Sequence, residues 1–518
     1  MSSPTQKITH GYSGELPPAR FNMARYCLAA YAASTPDKVA LIVVSHADAP
    51  LNEAERWTYG ALDDAVRRIA AGLLGEGFKP GERLMIRMPN TSDYALLFFG
   101  AIAAGMVPLP SSSQLTDNEA AFLLSDSGAS AVAVSGGMAI DAGNARVIND
   151  AMLARLKAHA PLADYADTDA NDPAFLVYTS GTSGSPKGVL HAQRSAWGRR
   201  PMYQGWYGIS AADTVLHAGA FNWTYTLGVG LTDPWANGAT TVLYNGEKDV
   251  QVWPKLLERT QATLFAAVPT LYRQILKYCD LGGHDLSALR HGLTAGEALS
   301  AALLDHWREA TGKLLYEALG MSECSTYIST GPGMEIRVGS PGKPQPGRCV
   351  VALPLDGGTD PLPAGETGML AVHRSDPGLM LGYWRRADEE QEVYRGDWFI
   401  GGDLASFDAD GYLWYHGRAD DVMNAMGYRV SPQEVEAALS QHPAIAEVAV
   451  TEIHVREDVS VIAAFVILKD GQNADKKSVL DFADSRLAAY KRPREVFFVD
   501  TLPRTANGKI TRRALAQR

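Results

Sequence analysis

Up to about residue 400 the chain alternates two spacings of apolar residues. Leu62, Val66, Ile69 and Leu73 lie 4, 3 and 4 apart, which puts them on one face of a helix, and Gly77 and Pro80 end it. Leu84, Met85 and Ile86 then predict a buried strand. The cycle returns with a helix over 95–104 and a strand over 131–134. Such alternation predicts α/β layers around largely parallel sheets. Residues 95–109 form the longest apolar stretch, 15 residues with two glycines and a proline. A membrane span needs about 20 residues, so this stretch is expected to be a buried helix and no membrane span is expected.

The pattern changes twice. Residues 357–382 are rich in Gly and Pro with short strands between, which predicts a smaller β-rich subdomain closing the large one. A second unit begins near residue 420. Ser431-Pro432-Gln433-Glu434 reads as a capping box with proline at the first helical position, opening a helix over 435–439. Strands over 448–450 and 459–466, a helix over 479–487 and a strand over 496–499 complete a small α+β domain. The charged segment Gly417-Arg418-Ala419-Asp420-Asp421 is the expected joint.

Composition narrows the function classes. At roughly 150 residues per domain, 518 residues make two to four domains. Hydrophobic residues are 46% and charged residues 20%, ordinary for a globular enzyme. The net charge of −11, with 58 acidic and 47 basic residues and no long basic run, argues against a nucleic-acid-coating role. Cys27, Cys279, Cys324 and Cys349 have no CxxC spacing, which excludes a disulfide framework and a structural zinc site and suits a reducing cytoplasm. The amino terminus has no apolar core behind a charged start, so no signal peptide is expected.

The strongest chemical signal is an apolar strand, Phe175-Leu176-Val177-Tyr178, running into Thr179-Ser180-Gly181-Thr182-Ser183-Gly184-Ser185-Pro186-Lys187-Gly188. Glycines let backbone N–H groups converge on an anion, hydroxyls add donors and the lysine supplies charge, which is what a polyphosphate requires. Taken alone, the segment also fits a polar surface turn. It is neither a Walker A loop nor a nucleophile elbow, since no serine has glycine at both −2 and +2.

This loop resembles the phosphate loop of the adenylate-forming superfamily, which includes acyl-CoA synthetases, luciferases and peptide-synthetase adenylation domains. Other motifs of that superfamily follow in order. Gly296-Glu297-Ala298 resembles its adenine-binding turn, and Leu319-Gly320-Met321-Ser322-Glu323 its YGxTE motif. Asp403 resembles the ribose-binding aspartate, the 417–421 segment the hinge, and Pro503-Arg504-Thr505-Ala506-Asn507-Gly508-Lys509 the carboxy-terminal lysine motif. Phe21-Asn22-Met23-Ala24 and the Gly296-Glu297 pair resemble the branch handling medium-chain acids and benzoate.

The resemblance implies an amino-terminal adenylation domain over 1–417, a hinge over 418–421 and a mobile carboxy-terminal domain over 422–518. It implies ATP, Mg²⁺ and coenzyme A as reaction partners of a carboxylic acid, and leaves room for a homo-oligomer. Lys509 is the expected contact of the α-phosphate and carboxylate oxygens as one anion attacks another; otherwise it is a solvated tail lysine. Lys187 joins it at the phosphates, with Thr179 to Gly184. Glu323 would hold Mg²⁺, unless it is a structural glutamate, and Ser322 can donate to phosphate. Asp403 would accept from both ribose hydroxyls, or be a strand-end turn residue. Arg418 would reach ribose or phosphate oxygens, or pair with Asp420 or Asp421. Asp420 is the expected pivot between two half-reactions. Gly427 and Arg429 would meet coenzyme A, Gly427 being equally a turn glycine, while Asn424 stands where many relatives carry lysine.

Between these motifs Ala220-Phe221-Asn222-Trp223-Thr224-Tyr225-Thr226-Leu227-Gly228 resembles the aromatic acyl-pocket segment. If it opens a helix, Trp223 and Leu227 share a face and Trp223 is the expected pocket wall; plain core packing is the competing reading. A tryptophan wall disfavours long chains, so a small to medium apolar acid is expected: aryl, branched or short-to-medium linear. The expected activity is an ATP-dependent, AMP-forming carboxylate–CoA ligase. The alternatives are an adenylation enzyme loading a separate carrier protein and a non-catalytic nucleotide-binding relative; the chain ends nine residues after Lys509, so no fused carrier domain is expected.

Overall fold

The computed structural model describes residues 11–179, 186–247, 249–419, 423–425, 428–456, 459–487, 489–504 and 510–516. They fall into two compact units, one of residues up to Cys349 with Val372–Phe399, the other of Val350–Ala371 with the residues from Ile400 onward.

Unit one is α/β throughout. Leu62, Val66, Ile69 and Leu73 lie on the helix Tyr59–Gly75 and are fully buried, each stabilising the fold by ~1.5–3 kcal/mol. Gly77, at φ +88°, follows its end. The strand Arg83–Arg87 pairs in parallel with Val107–Ser111 and Ala131–Val134. The apolar stretch 95–109 is not one helix. Its helix, Ser92–Ala103, stops at a turn where Gly105 takes φ +75°, and the chain continues as the strand Val107–Ser111. Period alone does not separate a buried helix from a buried strand in a continuous apolar run; Gly105 and Pro108 mark the change.

Among the described residues nine strands form the larger sheet, ordered Lys343–Pro344, Ser325–Ser329, Leu314–Met321, His291–Ala295, Leu264–Ala266, Thr214–His217, Thr240–Tyr244, Val39–Val44 and Glu55–Thr58. Its centre is parallel, and the Leu314–Met321 and Ser325–Ser329 pair is an antiparallel hairpin. A small antiparallel sheet joins Pro173–Thr179, Lys187–Ala192 and Gly382–Tyr383.

The Gly/Pro-rich region is part of a sheet that extends beyond residue 382, with strands Val350–Leu353, Gly368–His373, Trp398–Phe407 and Leu413–Arg418. After it, Ile445–Arg456, Val459–Leu468 and Glu495–Phe498 form a sheet whose core includes Val435, Leu439, Val466, Val479 and Val496. The helix Pro432–Leu439 begins at Ser431, but the expected capping box does not form. The Ser431 hydroxyl donates to the His416 carbonyl and Glu434 pairs with Lys491, so tertiary partners take both groups. Among the described residues no helix is long and apolar enough to cross a membrane.

Candidate active site

Thr179 ends one strand and Lys187 begins the next, directly opposite it. The two ends of the hydroxyl- and glycine-rich loop therefore lie side by side. Ser180, Gly181, Thr182, Ser183 and Gly184 lie outside the described residues. Lys187 forms an ion pair with Glu389, and its ammonium lies 5.5 Å from the centre of the Tyr383 ring. The hydroxyl of that same tyrosine donates to Glu323 at 2.7 Å. Tyr383 thus gathers a cation on its face and a carboxylate at its tip.

Ser322 and Glu323 occupy the turn of the hairpin whose strands end at Met321 and begin at Ser325. The backbone of Met380 donates to the Glu323 carbonyl at 2.7 Å, and Nε2 of His191 meets the Ser322 carbonyl at 2.9 Å. Burial pushes His191 down to about 3, so the ring is neutral and donates through Nε2. It stacks on Phe175, 4.6 Å between ring centres. Among the described residues Glu323 makes no ion pair. A half-buried carboxylate with one hydroxyl donor and no cation suits Mg²⁺, which takes one or two carboxylates and completes its shell with phosphate oxygens and water.

The turn Gly296-Glu297-Ala298 follows the strand His291–Ala295, with Gly296 and Ala298 exposed. Gly296 sits at φ +94°, open to glycine at little cost. Glu297 accepts from Thr270 and from Arg273, each at 2.9 Å. Sequence reasoning missed Glu317, on the neighbouring strand, which accepts the backbone N–H of Leu299 at 3.2 Å and so ties the turn to the sheet. Loss of hydration pushes its carboxyl up to about 8. Nothing local in the sequence marks Glu317, His191, Tyr383 or Glu389, because each acts through a residue far along the chain.

The acyl-pocket segment opens its helix at Thr224, not at Trp223, which is extended. Trp223 and Leu227 therefore do not share a helical face. A Cβ built on Gly296 would lie 3.6 Å from Trp223, whose ring also meets Tyr225 edge-on. Leu227 is buried in a different cluster, with Phe221 and Trp235.

Unit two holds Asp403, 7% exposed, whose Oδ1 accepts from the Tyr415 hydroxyl at 3.0 Å. Arg418 lies opposite it in the paired strand, Nη1 at 3.7 Å from Asp403 and donating to the Gly401 carbonyl at 2.6 Å. Asp420, Gly427 and Lys509 lie outside the described residues; of Arg429 the backbone is described, opposite Asn424.

The profile of the AMP-binding enzyme family matches residues 28–384, and that of the AMP-binding enzyme C-terminal domain matches residues 434–509. The chain is 32% identical over 484 residues to the uncharacterized acyl–CoA ligase YtcI of Bacillus subtilis, covering 90% of each chain. It is 31% identical to the benzoate–CoA ligase of Thauera aromatica, covering 89% of this chain and 91% of that one. Its fold superposes on the crystal structure of the anthranilate CoA ligase AuaEII in complex with anthranoyl-AMP with a TM-score of 0.86 and 29% identity, covering 97% and 98% of the two chains. The chain belongs to the family of AMP-binding enzymes.

Proposed function

We propose that this enzyme is an AMP-forming acid–CoA ligase that uses ATP and coenzyme A to convert a small to medium apolar carboxylic acid, aryl, branched or short-to-medium linear, into its thioester. The observation that carries the reading is the pairing of Lys187 and Glu323 about Tyr383. A cation at the end of the hydroxyl-rich loop and a carboxylate that, among the described residues, makes no ion pair meet the same tyrosine. In the first half-reaction the substrate carboxylate attacks the α-phosphorus of ATP and pyrophosphate leaves. Lys187 and Lys509 would meet the charge that builds on the phosphates, with donors from Thr179 to Gly184 and from Ser322. Glu323 would hold Mg²⁺, which when bound neutralises polyphosphate charge. The 296–298 turn would take adenine, and Asp403 and Arg418 the ribose. In the second half-reaction the thiol sulfur attacks the acyl carbonyl and AMP leaves, with Gly427 and Arg429 toward coenzyme A after a turn at Asp420 in a joint over 418–421. Trp223, against Gly296, would wall the acyl group. Four free cysteines fit a cytoplasmic setting.

The test is pyrophosphate release over a panel of carboxylic acids, with and without coenzyme A. Coenzyme-A-dependent release of AMP with an aryl or medium-chain acid supports the reading. Adenylation that coenzyme A never discharges would point to a separate carrier protein, and no pyrophosphate from any acid would overturn the ligase.

A further inference from the structure

We propose that Arg199 is a positioning residue that fixes the Ser322–Glu323 turn through Ser325; the inference rests on the reading of Glu323 as the magnesium carboxylate. Arg199 is buried, and its Nε and Nη2 donate to the two oxygens of Asp233, both at 2.7 Å. Asp233, fully buried, also accepts from the Tyr207 hydroxyl at 2.5 Å. The fork is then satisfied on one side, and the remaining prong, Nη1, donates to the hydroxyl of Ser325. Because Arg199 and Asp233 cancel in charge, what this pair delivers to Ser325 is direction rather than net field.

Ser325 is where that direction matters. It stands at φ +65°, in the left-handed region that residues other than glycine seldom adopt. It begins the strand Ser325–Ser329 and pairs with Met321, so the turn of Ser322, Glu323 and Cys324 hangs between those two residues. The register slips just before, between Leu319 and Gly320, so the ladder alone does not set the turn. His191 holds the turn's first carbonyl and Arg199 holds its exit. The chain also makes room for the guanidinium. A Cβ on Gly228 would lie 1.8 Å from Nη2 of Arg199, so no side chain fits there while Arg199 keeps its place. Gly228 and Asp233 belong to the helical run that starts after Trp223, so Arg199 links the run that follows the proposed acyl wall to the turn that carries Glu323.

The test measures binding rather than turnover. Calorimetry gives the affinity for a non-hydrolysable ATP analogue in MgCl₂ and in EDTA, beside the thermal midpoint. Ser325→Ala keeps the backbone strain and removes only the acceptor. It should cut the magnesium-dependent gain in affinity about fivefold, the effect of one lost hydrogen bond, while affinity in EDTA stays unchanged. Arg199→Lys, whose point charge cannot serve Asp233 and Ser325 together, should shift the same ratio; if that variant fails to fold, Ser325→Ala carries the test. An unchanged magnesium gain in Ser325→Ala, while Glu323→Gln abolishes it, would overturn the role of Arg199 alone. If Glu323→Gln leaves the gain intact, the magnesium reading falls and the inference falls with it.

Discussion

Replacing Glu389 by glutamine should tighten the binding of ATP. In the structure the ammonium of Lys187 is already paired, with Glu389, which also accepts from Arg386 at 3.2 Å. Lys187, and behind it Arg386, hold the Glu389 carboxyl below the usual carboxylate range, as expected of an anion stabilised by cations. A nucleotide phosphate that is to meet Lys187 must therefore displace a carboxylate. The two side chains are 18% and 28% exposed, a setting between surface and core, where such a pair contributes ~0.5–1 kcal/mol. Glutamine keeps the length and still accepts from Arg386 but carries no charge. At roughly 1.4 kcal/mol per tenfold, the gain should be about two- to fivefold in Kd for ATP, larger at low salt than at high. Calorimetric titration of the resting enzyme without acid substrate reads it directly. Lys187→Ala should weaken ATP binding and, in the double variant, erase the effect of Glu389→Gln. Equal or weaker ATP binding in Glu389→Gln would refute the competition and leave the pair as a brace between the strand at Lys187 and the helix Ala387–Glu392.

Lys509→Ala should nearly abolish pyrophosphate release yet spare thioester formation from a supplied acyl-adenylate, since in the proposed reaction its charge is needed only while phosphate is attacked; equal losses in both assays would remove the two-step assignment. Asp403→Asn should weaken AMP binding by about tenfold or more, because one amide oxygen replaces a charged acceptor of two hydroxyls; an unchanged Kd would move the ribose elsewhere. Trp223→Gly should shift preference toward longer acids in a chain-length series, and a wild-type preference for palmitate would defeat the pocket assignment. Stability should peak near pH 6.5. Burial lowers His191 and His217 to about 3 and His291 to about 4, so the unfolded chain takes up their protons first and stability falls as pH drops below 6.5. Glu317, raised to about 8, binds its proton in the fold first, so its contribution is lost as pH rises from 4.5 to 8. Burial lowers His416 as well, so three to four protons against one leave an excess of about two to three in the unfolded state below pH 6.5, a slope of ~3–4 kcal/mol per pH unit at most; a thermal midpoint at pH 5 equal to that at pH 6.5 would contradict it.

How far the sequence could be read depends on whether a residue's role is decided within its own segment. The helix of Leu62, Val66, Ile69 and Leu73 was legible because one spacing fixes both its type and its buried face. The family was legible because glycines, hydroxyls and a lysine are adjacent between Thr179 and Lys187, and the order of the later motifs turned a weak local signal into a family. Reading failed where a distant partner takes over. Ser431 has the sequence of a cap, but the His416 carbonyl competes for its hydroxyl and wins. Trp223 and Leu227 have helical spacing, but the helix starts one residue late and the two side chains go to different clusters. The same cause hid the support of the site. Glu389 beside Lys187, His191 beneath Ser322 and Arg199 behind Ser325 lie 202, 131 and 126 residues from the groups they hold. A motif displays the groups that meet the ligand, because those cluster on one loop. The residues that aim them answer to the packing of the sheet and its helices, so a substitution outside every motif, at Arg199 or Glu389, should alter nucleotide binding as surely as one within.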